Sequence, residues 1–117
     1  MPLQIRKENF MKFNYPKYQM KSEFTVGTFS ENKWELGECA CVDRAFYVLP
    51  DGEEFVFFKF CERTHTGRKR IRWEEWHNGK FSNNHFSGGF DAAVKSMECY
   101  MSFNGFSNNR QNYRVYQ

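Results

Sequence analysis

The sequence predicts an α+β fold: an antiparallel β-meander of about four to six strands with one helix, in the C-terminal half, packed on one sheet face. Three observations predict it. Runs with a period of two fill the middle of the chain, turn signatures separate them, and the one stretch with helical spacing comes afterwards. Strands in succession and then a helix imply an antiparallel sheet, because parallel strands need a crossover helix between them.

Residues 1–21 carry weak alternation at Phe10, Phe13 and Tyr15, which Pro16 interrupts. From Glu23 to Phe29 the chain reads as extended, and Lys33 to Leu36 reads as a returning strand after Ser30-Glu31-Asn32. Two β-rich runs follow, Cys41 to Leu49 and Glu53 to Arg63. They flank Pro50-Asp51-Gly52, where proline presets φ and glycine accepts a positive φ. In the second run Val56, Phe58 and Phe60 share one face, with Phe55, Phe57, Lys59, Cys61 and Arg63 on the other.

After the loop Thr64-His65-Thr66-Gly67, a third strand spans Arg68 to His77, with Lys69, Ile71 and Trp73 alternating against Arg68, Arg70 and Arg72. Asn78-Gly79 then favours a two-residue type I′ hairpin, since both central positions need positive φ. A fourth strand runs to about Phe86. The helix is marked by Phe90, Ala93, Val94, Met97 and Met101, with Ser87-Gly88-Gly89 before it and Asn104-Gly105 as its stop. Asp91 and Lys95 are spaced for an ion pair on its outer face. The helix methionines are expected against the Val56, Phe58 and Phe60 face, and Tyr113, Val115 and Tyr116 suit a short edge strand.

A chain of 117 residues fits one domain, 1–117, and its 14 phenylalanines supply much of the area that a small core must bury. No apolar run is long enough to span a membrane, and the N-terminus lacks the hydrophobic block of a secretory signal. The expectation is therefore a cytoplasmic protein with no membrane association. In that compartment Cys39, Cys41, Cys61 and Cys99 are expected as reduced thiols.

Charge is localised. Between Lys59 and Arg72 six basic residues (Lys59, Arg63, Arg68, Lys69, Arg70, Arg72) stand against Glu62, a net +5, so the rest of the chain carries −2 of the total +3. Phosphate backbones reward such a cluster because each cation contact releases condensed counterions. Alternation puts Arg70 and Arg72 on one side of a strand, and a suitable register adds Lys59 and Arg63 to that side, with Phe55 and Phe57 nearby. Basic groups mixed with rings make a surface on which single strands stack. The plainer alternative is a solvated hairpin whose charges protect a sheet edge. Trp73 and Trp76 fall on opposite faces of their strand, so at least one is expected at the surface, where tryptophan beside arginine suits a protein-binding hot spot.

Two other chemistries are weaker. Cys39, Cys41, Cys61 and His65 are soft ligands for zinc, but a single residue between the first two departs from the usual spacing; the plainer reading makes Cys39, Cys41 and Cys99 small core residues. No Ser, Cys or Lys occupies a nucleophile motif, no glycine-rich phosphate loop is present, and His65, His77 and His85 lie in or beside predicted loops. No catalytic residue and no cofactor is assigned.

From Phe55 to Tyr100, including Gly79-Lys80-Phe81 and Phe90-Asp91-Ala92-Ala93, the order of three strands and a helix resembles small domains that lay a three-stranded sheet in the DNA major groove. The short Phe-, Asn-, Lys- and Tyr-rich chain is also similar in character to small phage-encoded regulators and host inhibitors. The leading expectation is a non-enzymatic module binding nucleic acid through Lys59, Arg63, Arg68, Lys69, Arg70 and Arg72 with Trp73 and Trp76. The alternatives are a protein-binding inhibitor or regulator docking on a host enzyme or nucleoprotein, and a zinc-stabilised module. A homodimer through a sheet edge is compatible with either binding role.

Overall fold

A computed structural model of the chain describes residues 11–21, 39–64, 66–87 and 89–116. The expected strands at Glu23 to Phe29 and Lys33 to Leu36, together with His65, lie outside the described residues. In chain order the elements are β1 (Cys39–Val48), β2 (Glu54–Arg63), β3 (Lys69–His77), β4 (Lys80–His85), α1 (Gly89–Ala93), α2 (Lys95–Phe103) and β5 (Arg114–Val115). The strands form one antiparallel sheet in the order β4-β3-β2-β1-β5. The α+β meander with its C-terminal helix is thus the observed fold, and the C-terminal edge strand is β5, which pairs Val115 with Phe46.

The turns follow their residues. At the first hairpin Gly52 has φ 91° and its N–H donates to Leu49 O at 2.8 Å. At the second, Asn78 (φ 49°) and Gly79 (φ 81°) both take the positive φ that a type I′ turn requires. The helix bends at Val94, between α1 and α2, and ends where Phe106 N–H donates to Met101 O at 2.8 Å. Asp91 does not pair with Lys95; its partner is Arg110, at 3.0 Å, which also reaches Glu98 at 2.7 Å. The arginine thereby ties the helix to the 3-10 turn Arg110–Tyr113.

Both faces of the sheet are apolar, and each is covered by a different layer. Met97 and Met101 pack with Phe55, Phe57, Tyr47 and Trp73, so the helix lies on the face opposite to the expected one. The face of Val56, Phe58 and Phe60 is covered instead by the N-terminal segment, where Tyr18 meets Phe58 and Phe60 edge-on at 5.0 and 4.9 Å. Six of the ten residues of β2 are apolar and buried, on both of its faces, so its alternation could not say which face the helix takes.

Carboxylates anchor the N-terminal segment. Glu54 is fully buried and accepts hydrogen bonds from the backbone N–H of Lys12 and Phe13 and from the Tyr15 hydroxyl, the last at 2.8 Å. Glu74 accepts from Tyr18 Oη at 3.2 Å and from Trp76 Nε1 at 3.0 Å. Glu75, the next residue, points to the other face and accepts from Ser96 of α2 at 2.7 Å. Burying a carboxylate is tolerable when donors replace its water.

A basic cleft on the helix face

The register of β2 against β3 decides where each cation goes. Lys59 pairs with Trp73, Cys61 with Ile71 and Arg63 with Lys69, all on the helix face; Phe60 pairs with Arg72 and Glu62 with Arg70, on the other. Paired residues share a face. Arg70 and Arg72 therefore do not share a side with Lys59 and Arg63, and the basic cluster is divided between the two faces.

On the face away from the helix, Arg72 is a structural residue. Its guanidinium donates to Glu62 Oε1 at 2.6 Å, to Glu74 Oε2 at 2.9 Å and to Asn84 Oδ1 at 3.1 Å, and it stacks over Phe60 at 4.5 Å. Burial opposes its charge, and the hydrogen bonds it donates to Glu74 and Glu62 outweigh that cost, raising its pKa above the ordinary arginine range. Glu62 shows the mirror effect: burial pushes its carboxyl up, and the bonds from Arg72 and Arg70 win and hold it below the usual value. Trp76 lies on this same face, edge-on to Tyr15 and Phe81, and is half-buried. Neither Trp73, which is buried, nor Trp76 stands exposed. Arg63 donates to Gly67 O at 2.7 Å and closes the β2–β3 loop, while Arg68 is exposed on that loop.

The helix leaves part of its own face uncovered. The bare portion is a cleft of about 1040 Å³. Its floor is one transverse row across four strands: Asp43 of β1, Lys59 of β2, Trp73 of β3 and His85 of β4. The Lys59 ammonium sits 5.9 Å from the Trp73 ring centroid and has no carboxylate partner among the described residues. Lys69 and Ile71 extend the β3 wall, Phe86 and Phe90 form the wall toward the helix, and Arg114 enters from β5. Arg70 reaches the rim, with its guanidinium over the Phe86 ring at 4.7 Å. Ile71 and Phe86 are 43% and 52% exposed and supply part of the cleft's apolar lining.

Of the residues named from sequence, the cleft brings together Lys59, Lys69, Arg70 and Trp73 and leaves out Arg63, Arg68, Arg72 and Trp76. It adds Asp43, His85, Phe86, Phe90 and Arg114. Phe90 carries a core-like helical signal, and Arg114 arrives only because β5 pairs with β1, so no local pattern marks either as a site residue.

The zinc grouping does not assemble from the described residues. Cys39 and Cys41 pair with Glu62 and Phe60 on one face, whereas Cys61 pairs with Ile71 on the other. No group of three His, Cys, Asp or Glu suited to a metal occurs among the described residues. All four cysteines are free; Cys41 and Cys61 are buried, but Cys39 and Cys99 are at the surface rather than in the core. No helix among the described residues is long and apolar enough to cross a membrane. No protein-family model, curated protein or solved structure matches this chain.

Proposed function

We propose that the cleft over Trp73 binds single-stranded nucleic acid. One observation carries this: cations and partly exposed apolar side chains line the same concave space, with Lys59, Lys69 and Arg114 set among Ile71, Phe86 and Phe90. Unpaired bases can enter such a space and stack, while their phosphates meet the cations. A duplex keeps its bases stacked on one another, so their faces cannot stack on the rings of the cleft. Arg72 is excluded from the contact set because its charge is spent on Glu62 and Glu74.

The test is a fluorescence-anisotropy titration with single- and double-stranded oligonucleotides at several salt concentrations. Each phosphate neutralised on a single strand contributes about −0.7 to the slope of log K against log salt, so three cations give about −2. Lys59→Gln should weaken binding and reduce the slope by about 0.7. No binding, or binding without salt dependence, would remove the proposal. A second reading, docking on an acidic protein surface, is favoured by Phe81 and Phe86, both about half exposed along the β4 edge of the sheet. Recovery of one stoichiometric protein partner after nuclease treatment would favour it over nucleic acid.

A further inference from the structure

We propose that His85 and Lys59 form a phosphate subsite across Trp73, and that a proton on His85 sets its strength. This rests on the cleft being a nucleic-acid site. The two residues occupy the same transverse row on either side of Trp73, since Lys59 pairs with Trp73 and Trp73 with His85. Two strand spacings put their backbones about 10 Å apart. The Lys59 ammonium lies 5.9 Å from the Trp73 ring centroid, and Lys59, Trp73 and His85 all line the cleft, so the indole lies between the two side chains.

The imidazole is oriented from behind. Its Nε2 lies 2.8 Å from Glu75 Oε1, and the other oxygen of Glu75 accepts from Ser96 at 2.7 Å. Glu75 is 5% exposed, so the carboxylate is fixed by the helix on one side and holds the ring on the other. The carboxylate makes Nε2 the protonated nitrogen of the neutral ring. Nδ1 has no partner among the described residues, and His85 lines the cleft. In the neutral ring Nδ1 is an acceptor and repels a phosphate oxygen; in the imidazolium it becomes a donor. Phosphate binding therefore takes up a proton at Nδ1, with Nε2–H remaining on Glu75.

The charged groups that face the ring are Glu75 on β3 and Lys59 on β2, with Asp43 on β1 beside Lys59 across the strand pair. Arg70 stands over Phe86, while Ser96 on α2 is neutral. Between about pH 6 and 8 histidine is the side chain whose ordinary titration falls in the window. His77, at the end of β3, is stacked on Phe55 and bonded to Glu53 outside the cleft, and serves as the control.

The experiment measures the affinity of an oligothymidylate of about 10 nucleotides, a usual site size for a small single-strand binder, from about pH 6 to 8. Inorganic phosphate is titrated in parallel while the His85 ring is followed by NMR. The expected result is affinity several-fold weaker at the alkaline end, up to about tenfold per pH unit for one linked proton. His85→Gln, which retains a donor toward Glu75, should flatten that profile, and His77→Gln and His65→Gln should keep it. Free phosphate moving the His85 titration upward assigns the contact to the phosphate group itself; a shift with the oligonucleotide alone assigns it to a phosphate held within a strand. A flat wild-type profile, or one that survives His85→Gln, overturns the subsite while leaving the cleft as a binding site. Failure to bind at either pH overturns the cleft reading as well.

Discussion

Replacing Gly79 by alanine tests how tightly the N-terminal segment is tied to the second hairpin. Gly79 has φ 81°, which costs an L-residue about 1–2 kcal/mol. An added Cβ there would also stand 2.7 Å from Phe13 Cβ, an atom next to the backbone that cannot rotate away. The segment must shift, and the shift breaks the 3.0 Å hydrogen bond from Gly79 N–H to Tyr15 Oη and strains the 2.8 Å bond from Tyr15 to Glu54. Leaving such buried groups poorly paired costs about 1–3 kcal/mol, for a total of about 2–5 kcal/mol. Gly67 is the internal reference: its φ is 85° and nothing lies within 4 Å of an added Cβ, so Gly67→Ala carries only the backbone cost. Urea unfolding of both variants gives the difference directly. A second-site test is sharper. Phe13→Gly removes the clashing atom and should relieve much of the excess in Gly79→Ala, whereas Phe13→Ala keeps that atom and should not. Equal destabilisation by Gly67→Ala and Gly79→Ala, or no coupling to Phe13→Gly, would refute the reasoning.

Arg72→Gln strands Glu62 and Glu74 without their shared cation and should cost about 3–5 kcal/mol in urea unfolding, whereas Arg70→Gln, at an arginine side chain 45% exposed, should cost about 0–1 kcal/mol; similar losses would show that Arg72 is not the centre of the network. Stability should also fall at both ends of the pH scale. Glu62 has a folded pKa below its unfolded value of about 4.3, so its contribution is complete above that value and is lost as pH falls through the lowered one; Glu62→Gln should therefore show a shallower acid limb. Tyr18 is pushed up to about 12 by burial, with the Glu74 charge and hydrogen bond adding to it, so its contribution is complete below about pH 10 and is lost as pH rises through 12. Tyrosinate absorbance read alongside circular dichroism would show Tyr18→Phe removing part of that alkaline loss.

The fold was readable because its local signals agree. Asn78-Gly79 and Pro50-Asp51-Gly52 can close hairpins cheaply, and Phe90 to Met101 has one spacing only. The layer arrangement was not readable. Phe55 and Phe57 are as apolar as Val56 and Phe58, so the choice of face depends on Glu54 and Glu74 capturing the N-terminal segment, a contact between residues some forty to sixty positions apart. The site was half readable for the same reason. Alternation separates Lys69 from Arg70 along β3, but only the register with β2 shows that Lys59 joins Lys69 and that Arg72 meets Glu62. Arg114 and Phe90 reach the cleft through tertiary packing, which no local pattern records.

The adjacent acids of β3 also bear on how the sheet avoids misalignment. Glu74 serves the segment on one face and Glu75 the helix on the other, with Ser96 and His85 waiting for it. A strand that slipped by one residue would turn Glu75 toward Tyr18 and carry Glu74, with the Trp76 indole bonded to it, to the helix side, and the apolar rows of β3 would change faces. In a sheet whose two faces are nearly equally greasy, hydrophobicity penalises such a slip only weakly. Two neighbouring charges with different clients make the wrong alignment expensive, and so act as a key that only one pairing of β2 with β3 can turn.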